Sequence, residues 1–256
     1  MATDDQERCR SCFLKWMNLQ HQELSELDQA LTLHASMTDS NEHNLSQLAQ
    51  KCIKHFQDYA DMRSQLAHND VSAFLVPSWC TNWENCMLWL GGCRPSQYIR
   101  LVYALSGLEI EAQLDEFLQG TSTTGTLGDL SSKQFDLFNI LQGKTIRSEE
   151  KLTARMASLQ EDVADQPIAV IAKRLSRVGE MNWEVNRALD KQEEEMAGIL
   201  EEADRLRLST LKELVGILTP KQAVDFLAAG KKLHLCVHEW GKRNDDLRHG
   251  REEIIS

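Results

Sequence analysis

Apolar residues recur along the chain at intervals of three and four. Phe13, Met17, Leu24, Leu27 and Leu31, with Gln20 in the same register, form a stripe. Such spacing marks one face of an amphipathic helix. After a polar break at Asp39-Ser-Asn41 the pattern returns at Leu45, Leu48, Cys52, Phe56, Tyr59 and Leu66. Leu152, Met156, Leu159 and Val163 form a third stripe, and Val185, Leu189, Met196, Ile199, Ala203 and Leu206 a fourth. A last helix is expected from Thr219-Pro220, with Thr as the N-cap and Pro in the first helical position. β-branched residues are sparse and do not alternate with polar ones, so no strand is predicted.

The breaks between stripes set the organisation. Gly120-Thr-Ser-Thr-Thr-Gly-Thr-Leu-Gly128 reads as a flexible linker, and Asp165-Gln-Pro167 as a tight break. Trp79, Trp83, Met87, Leu88, Trp89 and Leu90 lead into Gly91-Gly92-Cys93-Arg94-Pro95-Ser96, followed by Tyr98, Leu101, Val102 and Leu105. This predicts a core helical hairpin in which the glycine pair ends one helix and Pro95 starts the next. The expected architecture is all-α: a single antiparallel multi-helix bundle over residues 5–250, with a flexible Gly/Thr-rich loop near 120–128 and a short tail at 251–256.

Composition narrows the function. Of 256 residues, 42% are hydrophobic and 26% charged, enough to bury a core. A net charge of −11 argues against non-specific nucleic-acid binding, which needs a concentrated basic surface. The longest apolar run, Cys86 to Leu90, is too short to span a bilayer, and the first residues lack a signal-peptide core. A reducing compartment is therefore expected. Seven cysteines at irregular spacing do not suggest a disulfide framework, and the Cys9/Cys12 pair lacks a second pair for zinc. No nucleophile-elbow or Walker pattern is present, and Glu193, Glu194 and Glu195 read as a solvated face. An enzyme is not expected.

Trp89-Leu-Gly-Gly-Cys-Arg-Pro-Ser96 resembles the centre of a domain found in TGA-class bZIP transcription factors. Arg100 to Leu105, Ser158 to Asp162, Ala188 to Glu194, and Ala229 to Leu235 with His238-Glu-Trp-Gly241 narrow the likeness. From about Phe13 to Gly241 the chain resembles the plant Delay of Germination family, which carries this domain without a bZIP. The resemblance implies a positive role in seed dormancy and abscisic-acid signalling; the compartment expected is the nucleus, with the cytoplasm beside it. It implies type 2C protein phosphatases as partners, with haem as a second ligand. The family's phosphatase-contacting segment maps to Ser11, Cys12, Phe13, Leu14, Lys15 and Trp16. An alternative is a TGA-like transcriptional regulator acting through bZIP or chromatin partners. No basic stretch precedes a leucine heptad, so direct sequence-specific DNA binding is not expected.

His234 and His238 are four apart and share a helix face. The deep stripe of that helix is expected at Phe226, Gly230, Leu233, Val237 and Trp240, placing both histidines at the border of core and solvent. Lys231 and Lys242 lie slightly further round. By residue type the pair reads either as packing residues or as a haem edge, with imidazole beside an apolar wall and lysines for the propionates. The family resemblance favours haem. Two histidines on one helix turn cannot supply opposite axial positions of one iron. One would ligate at a time, the other serving as a neighbour, a rival, or a ligand to a haem shared within a homodimer. Leu235 stands where a zinc protease needs glutamate. The remaining histidines read as surface or packing residues.

Overall fold

A computed structural model describes residues 2–36, 42–118, 127–175, 177 and 183–255. The helices run in the order α1 (Ala2–Ser36), α2 (Glu42–Ala67), α3 (Ser72–Leu75), α4 (Asn82–Met87), α5 (Ser96–Leu118), α6 (Ser132–Glu161), α7 (Ile168–Arg174), α8 (Trp183–Ile217) and α9 (Pro220–Ile255). Short 3₁₀ turns cover Leu127–Asp129 and Asp162–Ala164. The protein is all-α, with no strand among the described residues. The polar break at 39–41 and most of the Gly/Thr-rich loop lie outside the described residues. The end of that loop differs from expectation: Leu127 is buried in the main core, so the chain is already anchored there.

Cross-helix pairs show α1 antiparallel to α2 and α9, and α8 antiparallel to α2 and α6, which leaves the packed pair α2 and α9 parallel. Glu26 of α1 meets Lys51 of α2, and Glu23 meets both His55 and Lys231 of α9. Arg63 of α2 meets Asp204 of α8, while Lys144 and Arg155 of α6 meet Glu213 and Glu202 of α8. The largest core cluster joins Leu27, Leu45, Ile99, Val102, Phe138, Leu214 and Val224, from six of these helices. Each such side chain contributes about 1.5–3 kcal/mol when taken from water. A second cluster under the α3 segment holds Cys9, Cys12, Leu66, Phe74 and Leu200. There the Cys9 and Cys12 thiols are packing residues, and burial raises the pKa of Cys9 to about 11.

Helix starts follow the capping rules. Gln222 N–H donates to the Thr219 hydroxyl at 3.3 Å, and Thr219 N–H donates back to the Gln222 side chain at 3.0 Å. Ser131 and Gln134 make the same reciprocal pair at α6.

The central segment corrects the expected helical hairpin. α4 ends at Met87, and Trp89 to Gly92 form a tight two-residue turn. It is closed by Trp89 N–H to Gly92 O at 2.7 Å and Gly92 N–H to Trp89 O at 3.2 Å. Both central residues have positive φ, Leu90 at 47° and Gly91 at 69°. That is the mirror-image turn that suits a hairpin and that glycine tolerates without strain. A Cβ on Gly91 would also stand 2.8 Å from the Phe74 carbonyl oxygen. The glycines thus serve a turn pressed against α3, not a helix end.

Candidate functional site

The two segments singled out by the sequence, 11–16 and 231–242, come together. α1 and α9 pack antiparallel, and the Phe13 ring meets the His238 imidazole edge-on at 5.9 Å. Trp79 leans on Phe13 at 6.2 Å, closing the junction from the α3–α4 connection. α4 is seated on α9 where the chain is narrowest. A Cβ on Gly241 would fall 2.1 Å from the Thr81 hydroxyl, and Asn82 bonds through backbone and side chain to Asp245 at 3.0 Å each.

Within this junction the polar side chains are committed in pairs. Glu84 closes the capping box of α4, accepting from Thr81 N–H and hydroxyl at 2.8 Å each. The same carboxylate lies 3.0 and 2.9 Å from His238 Nδ1. Burial pushes the Glu84 carboxyl up, but the hydrogen bonds from His238 and Thr81 outweigh it and hold it below its ordinary value. Lys231 is buried. Its Nζ donates to Glu23 at 2.6 Å and to Gln20 at 3.1 Å, above the Trp16 ring at 5.7 Å. Glu23 in turn accepts from His55 at 2.7 Å. A buried ion pair of this kind is hard to break one side at a time, because the partner left behind has lost its solvation.

These contacts correct the expected face of α9 beyond Gly230, while before it Phe226 is buried in the main core as expected. The inward side carries Leu227, Lys231, Leu235 and His238, whereas Leu233 and Trp240 are 47% and 57% exposed. His238 is therefore a buried residue, not a border one, and His234 is half-buried beside it. Hydrophobicity alone pointed to the wrong face because Glu23 and Glu84, from other helices, are what make Lys231 and His238 interior residues.

The imidazoles keep the chemistry an iron ligand needs. Burial lowers the His234 pKa, with Glu84 opposing it, so the ring is neutral near pH 7, and it makes no hydrogen bond among the described residues. His238 is oriented through Nδ1 by a carboxylate, the usual support for a histidine that ligates through its other nitrogen. Both fit haem iron in this respect. Lys231 does not fit a propionate contact, since its ammonium is already neutralised by Glu23. Lys242 is exposed, and among the described residues its ion pair is with the exposed Glu239, a partner it can leave readily.

The 11–16 segment divides by face. Cys12 and Phe13 are buried, and Trp16 stacks on Tyr59 at 4.4 Å and 7° with Phe56 behind it. A partner docking on the folded protein meets Ser11, Leu14 and Lys15 instead. Nearby α4 and α9 expose further large apolar groups: Trp83, Met87, Leu233, Trp240 and Leu247.

One constellation was not anticipated. Arg207 of α8 donates from Nε to Cys93 O at 2.7 Å, and from Nη2 to Leu90 O at 3.1 Å and to Trp89 O. Its Nη1 donates to Asp204 at 2.6 Å. Glu149 of α6 accepts from Ser96 N–H at 2.7 Å and from its hydroxyl at 3.1 Å, capping α5. Trp89 Nε1 reaches Thr153 at 2.9 Å. The Trp89-to-Ser96 motif is thus a clasp that ties α5 to α6 and α8. The available sequence signal was an arginine, Arg207, on an apolar helix face.

A family model for seed dormancy control (DOG1) matches residues 23–104. Protein DOG1-like 1 of Arabidopsis thaliana is 43% identical, covering 93% of this chain and 90% of its own length. Protein DOG1-like 3 of the same plant is 41% identical over 94% and 86%. More distant likenesses include Arabidopsis Protein RESPONSE TO ABA AND SALT 1, 29% identical over 76% of each chain. Arabidopsis transcription factor TGA6 is 26% identical over 90% of this chain but only 60% of its own length.

Proposed function

The chain belongs to the seed dormancy control (DOG1) family, and on that premise we propose that it regulates seed dormancy and the abscisic-acid response as a non-enzymatic binding protein. Its partners in this reading are type 2C protein phosphatases, which it restrains. The names of its relatives point to dormancy, the abscisic-acid response and transcription, not to a catalysed reaction. The observation that carries the reading is the exposed apolar surface at the α1–α4–α9 junction. Leu14, Trp83, Met87 and Trp240 are all about half exposed there. Large aromatic and apolar groups left in water mark interaction sites, and aromatic anchors dominate the binding energy of such surfaces.

Haem is the second ligand of this reading: His234 or His238 would hold its iron, one at a time, and Lys242 would offer a cation to its carboxylates. When bound it supplies a ligand-responsive iron beside the docking surface. His238 touches Phe13 of α1, so a ligand at the imidazoles acts on the helix that carries Leu14.

The test is calorimetry against a seed type 2C phosphatase, with and without one equivalent of hemin. A Leu14→Glu/Trp240→Ala variant should weaken binding by about 2 kcal/mol or more while keeping its helical signal. Absence of phosphatase binding by the wild type sinks the phosphatase reading, and undiminished binding by the variant removes this surface. An unchanged hemin spectrum in a His234→Ala/His238→Ala variant removes haem from these residues.

A second reading draws on the TGA6 likeness, which spans most of this chain. Here the protein acts in the nucleus as a transcriptional regulator through bZIP or chromatin partners, touching DNA only indirectly. Co-purification with a bZIP partner, without a phosphatase, would favour it.

A further inference from the structure

α6 and α8 bound an open groove of about 620 Å³ whose lining residues are distinct from those of the α1–α4–α9 junction. Lys151 and Arg155 enter it from α6, and Arg205 and Lys212 from α8, with the hydroxyls of Ser148 and Ser209 between them. Glu202 is the sole carboxylate among these lining residues. In a chain of net charge −11, four cations against one carboxylate is a local reversal of sign.

The cations are held on a stiff frame. α6 and α8 are pinned by Lys144 to Glu213 and by the buried Thr145–Thr210 hydroxyl pair at 3.4 Å. Below the groove, Leu152 is buried against α8. The charged heads, in contrast, are only lightly committed. Arg155 pairs with Glu202 at 2.6 Å and Arg205 with Glu201 at 2.7 Å, the arginines exposed and the carboxylates half-buried at the surface. Surface pairs of this kind contribute about 0–1 kcal/mol, so a stronger anion displaces them readily. Lys212 donates to the neutral Gln57, and Lys151 forms no ion pair among the described residues.

We infer that the α6–α8 groove is a binding site for a compact polyanion carrying several phosphate groups, of the inositol polyphosphate class. A singly charged ligand would gain little against the resident Glu201 and Glu202. Clustered phosphates match two guanidinium forks, which bind such oxygens in bidentate fashion, and two lysines as point charges. The open groove offers little enclosure, which disfavours a neutral ligand held by shape and apolar burial.

The experiment is calorimetric titration of the full chain at near-physiological salt. Inositol hexakisphosphate is the free probe, and a glutamate-rich peptide is the carboxylate control. Phosphatidylcholine vesicles doped with phosphatidylinositol bisphosphate form the lipid arm. The wild type should bind the hexakisphosphate saturably at one site. A Lys151→Glu/Arg205→Glu variant should lose at least about ten-fold in affinity. Lys54→Glu, which changes an exposed cation on α2, should bind as the wild type does. Binding that is confined to vesicles and lost in the double variant assigns the phosphates to a lipid headgroup. Binding of the free probe but not of vesicles assigns a soluble ligand. The inference is overturned if neither binds, if the double variant binds like the wild type, or if the peptide binds as tightly as the hexakisphosphate. A Lys151→Met variant, which only removes charge, covers the case in which the double reversal perturbs folding.

Discussion

Replacing Arg207 with methionine should cost this protein a large share of its stability without touching the surface of the α1–α4–α9 junction. Arg207 is 2% exposed and holds the carbonyls of Trp89, Leu90 and Cys93 together with Asp204. Methionine fills similar length but donates nothing, so the carbonyls of Leu90 and Cys93 lose this donor and that of Trp89 keeps only the Gly92 N–H. Asp204 is left with Arg63 alone, whose Nε lies 3.1 Å from Oδ2 but out of hydrogen-bond line. Breaking a buried ion pair from one side typically costs about 3–5 kcal/mol, and each abandoned polar group about 1–3 kcal/mol before relaxation. Relaxation of the turn recovers part of the second cost, so about 4 kcal/mol is expected. That is a large fraction of the roughly 5–15 kcal/mol that holds a typical domain. Urea denaturation followed by circular dichroism at constant m-value measures it. Arg207→Lys should fall between, since an ammonium can serve Asp204 and at most part of the carbonyl set. Gly92→Ala supplies an internal check, because its Cβ would stand 2.9 Å from Arg207 Cζ. The two substitutions should therefore couple by about 1 kcal/mol or more in a double-mutant cycle. A loss below about 1 kcal/mol for Arg207→Met, or strict additivity with Gly92→Ala, would refute the clasp.

Trp16→Ala should destabilise the fold by about 2–3 kcal/mol, somewhat below the usual cost for a fully buried aromatic, because Trp16 is half-buried and stacked on Tyr59. If phosphatase binding falls while the unfolding midpoint stays put, Trp16 is a surface anchor after all. His234 gives a pH signature. Its folded pKa lies below the ordinary 6.5 because burial disfavours the charged ring. Between those two values the unfolded chain binds the extra proton, so stability rises with pH through this window and is lost as pH falls below about 6.5. His234→Asn should flatten that part of the stability–pH curve, and an unchanged slope would show that His234 is not the group responsible.

The helices of the fold were legible because the long ones keep an apolar repeat on their own, and the cap at Thr219 lies within one turn of sequence. The failures share a cause. The Trp89-to-Gly92 turn could not be told from a helix end, since both favour a positive-φ glycine and the deciding partner, Arg207, is over a hundred residues away. α3 and α7 are too short, at 4 and 7 residues, to show a period. In the 11–16 segment, residue type did not separate the buried Cys12 and Phe13 from the exposed Leu14. That division depends on where α9 and the Trp79 loop lie, not on α1 itself.

α9 makes the same point about function. Its sequence offers two inward faces. In the first turns Phe226 and Leu227 are both buried; beyond Gly230 one face runs through Leu233 and Trp240, and the other through Lys231, Leu235 and His238. Judged by hydrophobicity the first wins, yet burying it would leave Glu23 and Glu84 inside the bundle without partners. An unpaired buried carboxylate costs several kcal/mol, more than an exposed leucine and tryptophan forfeit together once they remain partly covered. The bundle therefore turns the charged face in, neutralises Glu23 with Lys231 and satisfies Glu84 with His238. The consequence is that Leu233 and Trp240 are left in water on α9, while Leu14 and Trp83 are exposed on α1 and α4, which pack against it. The exposed apolar groups and the buried His238 are thus two results of one choice of helix face. A change that deprives Glu84 or Glu23 of its partner should disturb both.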